Sequence, residues 1–121
     1  MTQEGKELLL KDLCTRLPYG VKIQVKDWAT LDTELKIGHI QRLQNDDIEL
    51  KPYLRSLSSM TEEEKEYIIS LKYQPSAFEY MNIIMCSQEI IDWLNKKMLD
   101  YRGLIPLGLA LEALEGMYET K

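Results

Sequence analysis

Leu9, Leu13 and Leu17 recur every fourth residue with Leu10 and Cys14 beside them, and this spacing predicts a helix over Glu4 to Leu17 with one apolar face. Pro18–Tyr19–Gly20 ends it. Val21, Ile23 and Val25 then alternate with Lys22, Gln24 and Lys26, the period of a strand with one buried face and one wet, basic face. The alternation resumes less regularly in Leu35–Ile37 and Ile40–Leu43, with Gly38–His39 read as a bend between them. After the polar turn Asn45–Asp46–Asp47, Ile48–Glu49–Leu50 reads as a short strand that Pro52 ends, because proline has no amide proton for a ladder. The first half is expected to be a helix followed by an antiparallel meander of three or four strands.

The second half carries helical signals. Thr61 followed by Glu64 fits a capping box, Met60 precedes it, and Tyr67, Ile68 and Leu71 share one side of a helix expected over Glu62 to Lys72. The acids Glu62, Glu63 and Glu64 suit the positive end of that helix's dipole. Ser76 and Glu79 allow a second capping box ahead of Ala77 to Cys86, a stretch in which eight of ten residues are apolar and for which helix and strand both stay open. Its apolarity on more than one side makes residues 77–86 a candidate surface for self-association. Beyond Ser87, residues Ile90, Ile91, Leu94 and Met98 form another helical face flanked by Trp93, with Lys96 and Lys97 at its C-terminal end. Arg102–Gly103 and Pro106 break the chain, and Leu107 to Leu114 is ambiguous between helix and strand. The expected fold is α+β: an N-terminal helix, a small antiparallel meander and two or three C-terminal helices. Residues 1–121 form one domain, with no internal repeat and no long linker.

Charge narrows the function classes. Lys and Arg total 15 against 20 Asp and Glu. Residues 1–60 carry nine of each sign, whereas residues 61–121 carry six basic and eleven acidic residues. A phosphate backbone needs Lys and Arg to displace its counterions, so the acidic half argues against nucleic-acid binding there. The basic candidates lie earlier, in a stripe of Lys22, Lys26, Lys36, Arg42 and Lys51 on the sheet face, which Asp27, Asp32, Glu34 and Glu49 largely neutralise. The longest apolar run, Ile83 to Cys86, is far shorter than the ~20 residues of a membrane-spanning helix. Polar residues follow Met1 directly, and Cys14 and Cys86, far apart in apolar surroundings, read as buried reduced thiols of a cytoplasmic protein.

Catalytic and metal chemistry find little support. His39 is the single histidine, so with two scattered cysteines there are too few ligands for a zinc site. Neither cysteine carries the surroundings of an activated nucleophile. Asn45–Asp46–Asp47 with Glu49 lacks the alternating ligands and glycine of a calcium loop. Gly103 and Gly108 lack a phosphate-reaching lysine. Asp92 and Glu112 are the two acids in apolar settings, and both are read as capping or solvated groups. No cofactor, metal or catalytic residue is assigned.

Leu8-Leu-Leu-Lys-Asp-Leu-Cys-Thr-Arg-Leu-Pro-Tyr-Gly-Val21, the junction Lys51-Pro-Tyr-Leu-Arg-Ser-Leu-Ser-Ser-Met-Thr-Glu-Glu-Glu64, and Asp92-Trp-Leu-Asn95 with the string from Asp100 to Ala113 and Gly116-Met-Tyr118 resemble a family of small proteins encoded by gut-bacterial genomes, often in prophages and other mobile elements. The resemblance brings no assigned activity. It implies an intracellular bacterial or phage setting. Relatives typically carry proline where this chain has Leu114, and often histidine and an aromatic residue near Lys97 to Leu99, so any role of those histidines is not carried over.

Asp100–Tyr101–Arg102–Gly103 is the most distinctive point on the chain, since tyrosine and arginine are common anchors of protein interfaces. Trp93, Asp100, Tyr101 and Arg102 are therefore the candidate partner-binding residues. A purely architectural role for the same string would pair Asp100 with Arg102 and pack Tyr101 on the core. The expected function is that of a non-catalytic accessory protein that binds another protein; a nucleic-acid-associated regulator using the sheet face is the alternative.

Overall fold

The computed structural model describes residues 2–26, 33–70 and 88–118. Helix α1 (Gln3–Arg16) begins where the Thr2 hydroxyl accepts the Gly5 amide at 3.0 Å. Its buried stripe is Leu9, Asp12, Leu13 and Arg16, so the face predicted from leucine spacing also takes in two charged residues. A short 3-10 turn at Leu17–Tyr19 closes on Gly20, whose φ of 75° is the left-handed conformation that glycine adopts without steric penalty. Cys14 is exposed, contrary to the expected buried thiol, because it lies off the Leu9–Leu13 stripe; Cys86 lies outside the described residues.

Four strands form one sheet in the order β2-β1-β3-β4, from β1 (Lys22–Val25), β2 (Thr33–Glu34), β3 (Leu50–Leu54) and β4 (Leu111–Glu112). β1 pairs antiparallel with both β2 and β3, but β3 pairs parallel with β4, so the sheet is mixed rather than a consecutive meander. The C-terminal segment supplies the fourth strand, with Leu111 opposite Tyr53. The strand alternative for Leu107 to Leu114 holds at Leu111–Glu112, where two residues are too few for alternation to decide it.

Two local expectations are corrected. Leu35–Ile37 and Ile40–Leu43 are not strands: helix α2 occupies Ile37–Gln44. Ile37, Ile40 and Leu43 recur every third residue, which serves a helix, and only Leu43 is fully buried while Ile37 is 62% exposed. His39 is not at a bend but in the first turn of α2, where its Nδ1 accepts the Lys36 amide at 2.9 Å. Burial, then the charges of Arg42 and Lys36, hold the His39 pKa below its ordinary value, consistent with a neutral ring acting as acceptor. Pro52 also lies inside β3 rather than after it. The Lys26 amide donates to Glu49 at 2.9 Å, so by antiparallel alternation Glu49 and Lys51 direct their polar groups at β1 while Pro52 turns its nitrogen to the opposite edge. Pairing with β4 starts only at Tyr53, and no ladder bond is lost.

Helices α3 (Glu62–Ser70) and α4 (Gln88–Lys96) follow. The predicted capping box forms, with the Thr61 amide donating to Glu64 Oε1 at 2.9 Å and the Glu64 amide to Thr61 Oγ1 at 3.2 Å. The candidate self-association segment 77–86 lies outside the described residues. Leu107 to Leu114 runs from a turn and a bend into β4, with no helix in it. No helix of the described residues is long and apolar enough to cross a membrane.

The core gathers Leu9 and Leu13 of α1, Val21, Ile23 and Val25, Leu50 and Leu54 of β3, and Met98 and Leu104 from the C-terminal part. A smaller cluster of Ile90, Leu94 and Leu99 lies beneath Leu57, Met60, Trp93 and Tyr101. Tyr118 ties the sheet from the other end of the chain: its oxygen accepts the Lys22 amide at 2.7 Å and its hydroxyl donates to the Tyr53 carbonyl at 2.8 Å.

α4 ends in a Schellman motif, with the Met98 amide donating to Asn95 at 3.1 Å and the Leu99 amide to Leu94 at 3.0 Å. The left-handed position falls on Met98, at φ 58°, where glycine is usual. Core burial of the side chain, 2% exposed, opposes that strain, and the Arg55 amide holds the Met98 carbonyl at 2.7 Å. Met98→Ala is expected to lose about 2–4 kcal/mol of stability in urea titration. Met98→Gly, which also removes the side chain but relieves the backbone, should be more stable than Met98→Ala by about 1 kcal/mol. The reverse order of the two variants would show that the left-handed geometry carries no strain.

Candidate functional site

Two polar constellations flank α4. The inner one is built on the i, i+4 pair of α1. Arg16 Nε donates to Asp12 Oδ2 at 2.9 Å, and both side chains are 0% exposed. Arg16 Nη2 donates to the Leu99 carbonyl at 2.7 Å, which attaches the first helix to the turn after the last one. Arg102 approaches the same carboxylate, with Nε 3.5 Å from Asp12 Oδ1. Tyr101 lies between the two arginines, whose Cζ atoms stand 5.4 Å (Arg16) and 4.8 Å (Arg102) from its ring centroid. Its hydroxyl donates to Asn95 Oδ1 at 3.0 Å, and Thr15 reaches the same oxygen at 3.3 Å.

Asp100 does not pair with Arg102. Its two carboxylate oxygens accept the amides of Leu104 and Ile105 at 2.8 and 2.9 Å, fixing the turn that leads toward β4. Of the four candidate partner-binding residues, Asp100 is therefore buried and committed to backbone, while Tyr101 and Arg102 are half-buried and engaged with α1 and Asn95. Trp93, likewise half-buried, packs on the Ile90, Leu94 and Leu99 cluster and engages α3 instead of α1. The residues that hold the 100–102 string, Asp12, Thr15, Arg16 and Asn95, were not picked out from the sequence. The opposite charges of Asp12 and Arg16, one turn apart within a leucine face, were the available signal.

The outer constellation surrounds Trp93. Its ring stacks on Tyr67 of α3, with centroids 5.0 Å apart and planes inclined by 28°. Trp93 also packs on the Ile90, Leu94 and Leu99 cluster, so the aromatic pair is anchored from below. Tyr67, 39% exposed, is the more open ring. The pair lines a hollow of roughly 550 Å³ with Glu62, Glu63, Glu64 and Lys97. Glu64 is committed inward: Arg55 grips it with Nη1 at 2.8 Å and Nη2 at 2.6 Å, and also donates to the Ser59 carbonyl at 3.2 Å. The Arg55 hydrogen bonds, against the opposing effect of burial and with help from the Thr61 amide, hold the Glu64 carboxyl down to about 2.

The basic stripe is dispersed. Lys22 reaches the Met117 carbonyl at 3.3 Å, Lys26 pairs with Glu49 at 3.3 Å and Lys36 with Glu34 at 3.0 Å, while Arg42 sits on α2 rather than on the sheet. Tyr118 and the C-terminal segment cover one end of that face. Among the described residues, no group of three or more His, Cys, Asp or Glu side chains is placed to hold a metal ion. Asp92 and Glu112 are both exposed. No protein-family profile, no curated protein and no solved structure matches this chain.

Breaking the buried pair from one side leaves an uncompensated charge, so Asp12→Leu and Arg16→Met are each expected to cost about 3–5 kcal/mol. The double variant should cost markedly less than the sum, read as a coupling energy from urea denaturation; strict additivity would contradict the pairing. For Glu64, the folded pKa lies below the ordinary value of 4.5, so its contribution is complete above that pH and is lost as pH falls toward about 2. Glu64→Gln should lose on the order of 2–3 kcal/mol at neutral pH, and the gap from the wild type should narrow steadily below pH 4.5.

Proposed function

We propose that this chain is a non-catalytic accessory protein that acts by binding another protein, in the bacterial or prophage setting that the sequence resemblance implies. The observation that carries this reading is the Tyr67–Trp93 stack. Two large aromatic side chains are held in a fixed geometry at the rim of a hollow, supported from below by Ile90, Leu94 and Leu99. Rigid aromatic groups of this kind concentrate binding energy at protein interfaces, because they bury much area and lose little rotamer freedom on association.

The contact surface is thereby narrowed to Trp93 among the original candidates. Asp100, Tyr101 and Arg102 act behind it, holding the turn after α4 in place through α1. A nucleic-acid role gains no support from the basic stripe, where Lys26 at the end of β1 and Lys36 at the start of α2 each stand beside a carboxylate.

The test is capture of tagged wild type from host or phage-infected lysate, with quantitative mass spectrometry and nuclease treatment, against Trp93→Leu and Tyr67→Ala. A protein retained by the wild type and lost by both variants, with their melting transitions preserved, supports the reading. Identical retention by all three proteins contradicts it.

A further inference from the structure

Granting the protein-binding reading, we infer that the Tyr67–Trp93 hollow receives an arginine side chain from a basic segment of the partner. The argument begins with the aromatic pair, since a stacked tyrosine and tryptophan present ring faces and edges on which a planar guanidinium packs favourably. The charge around it points the same way. Glu64 is taken by Arg55, which leaves Glu62 and Glu63 as exposed carboxylates at the mouth against one ammonium, Lys97. Lys65 stands 3.6 Å from Glu62, with Glu62 86% exposed, a weak contact that a guanidinium seated on the rings would compete with. The hollow thus sets two aromatic rings beside the carboxylates of Glu62 and Glu63, the complement of a long side chain with an apolar stem and a cationic planar head.

An acidic or purely apolar occupant fits less well: the first meets Glu62 and Glu63, and the second desolvates them without a partner. A nucleic-acid strand would stack on the rings but bring its phosphates against the same carboxylates. The partner is therefore a protein segment bearing arginine.

The experiment uses the full chain labelled with 15N at near-physiological salt, following the Trp93 indole N–H, assigned by loss of the signal in Trp93→Phe. The probe is a short peptide of alternating arginine and glycine, compared with the same peptide carrying neutral citrulline and with a single-stranded DNA oligonucleotide. The expected result is a saturable shift of the Trp93 signal with the arginine peptide alone. Glu62→Gln with Glu63→Gln should weaken it about threefold or more, and Lys97→Gln should strengthen it, the size expected for exposed charges. No shift at Trp93, an equal response to citrulline or DNA, or indifference to all of these charge changes would overturn the inference. If the peptide fails while a lysate partner is still lost by Trp93→Leu, the arginine assignment falls and the protein-binding reading stands; if both fail, both fall.

Discussion

A buried arginine sets the terms for this fold. A guanidinium removed from water costs several kcal/mol unless its charge and its hydrogen-bonding directions are met, and Arg16 is fully enclosed. Asp12 answers the charge from the same helix, the Leu99 carbonyl takes Nη2 from the far end of the chain, and the Tyr101 ring stands 5.4 Å from Cζ, while Nη1 is buried with no hydrogen-bond partner among the described residues. Because two of these partners come from residues 99–101, the first helix cannot adopt its buried position without the turn after α4 also being in place. The Asp12 carboxylate further draws in Arg102, so the string from Leu99 to Arg102 is held along its length.

From that turn the rest of the C-terminal half is positioned. Asp100 caps the amides of Leu104 and Ile105, sending the chain toward β4, where it joins β3 in parallel. On the other side, the Asp100 amide donates to the Arg55 carbonyl at 2.8 Å and the Arg55 amide to the Met98 carbonyl at 2.7 Å, linking the end of β3 to the end of α4. Arg55 then uses its side chain to hold Glu64 at the start of α3. The aromatic pair is the outward result: α3 brings Tyr67 and α4 brings Trp93, and the two helices meet there because Arg55 and the Leu99 turn fix their ends. Internal charges build the frame, and the pair of exposed Tyr67 and half-buried Trp93 offers the surface.

The sequence displayed most of this frame's helices and little of its wiring. The apolar spacing of Leu9 and Leu13, the Thr61–Glu64 capping box and the face of Ile90 and Leu94 each correspond to an element at the expected place. Alternation located β1 but misassigned α2, since Leu35 and Ile37 around Lys36 continue the two-residue period of a strand, while the three-residue spacing of Ile37, Ile40 and Leu43 runs for only two turns. A strand within Leu107 to Leu114 was one of two readings, but the parallel pairing of β4 was not legible, because it depends on where Asp100 sends the chain rather than on its own residues. Of the candidate site, Trp93 was recognisable as a large aromatic beside a helical face. The inward role of Tyr101 and Arg102 depended on partners in α1, far away in sequence, with Arg16 also reaching Leu99 across 83 positions, whereas Asp100 is spent locally on the Leu104 and Ile105 amides.

The dependence of both chain ends on one buried cation is tested most directly by amide hydrogen exchange of Arg16→Met against wild type under native conditions. Protection should fall together in α1 and in the segment from Leu99 to Ile105, whereas the amides of α2, whose end is held by Lys6 near the start of α1, should change less. If exchange increased only around residue 16 while the amides of Leu104 and Ile105 kept their wild-type protection, the turn would be held without Arg16, and the account of the fold given above would be wrong.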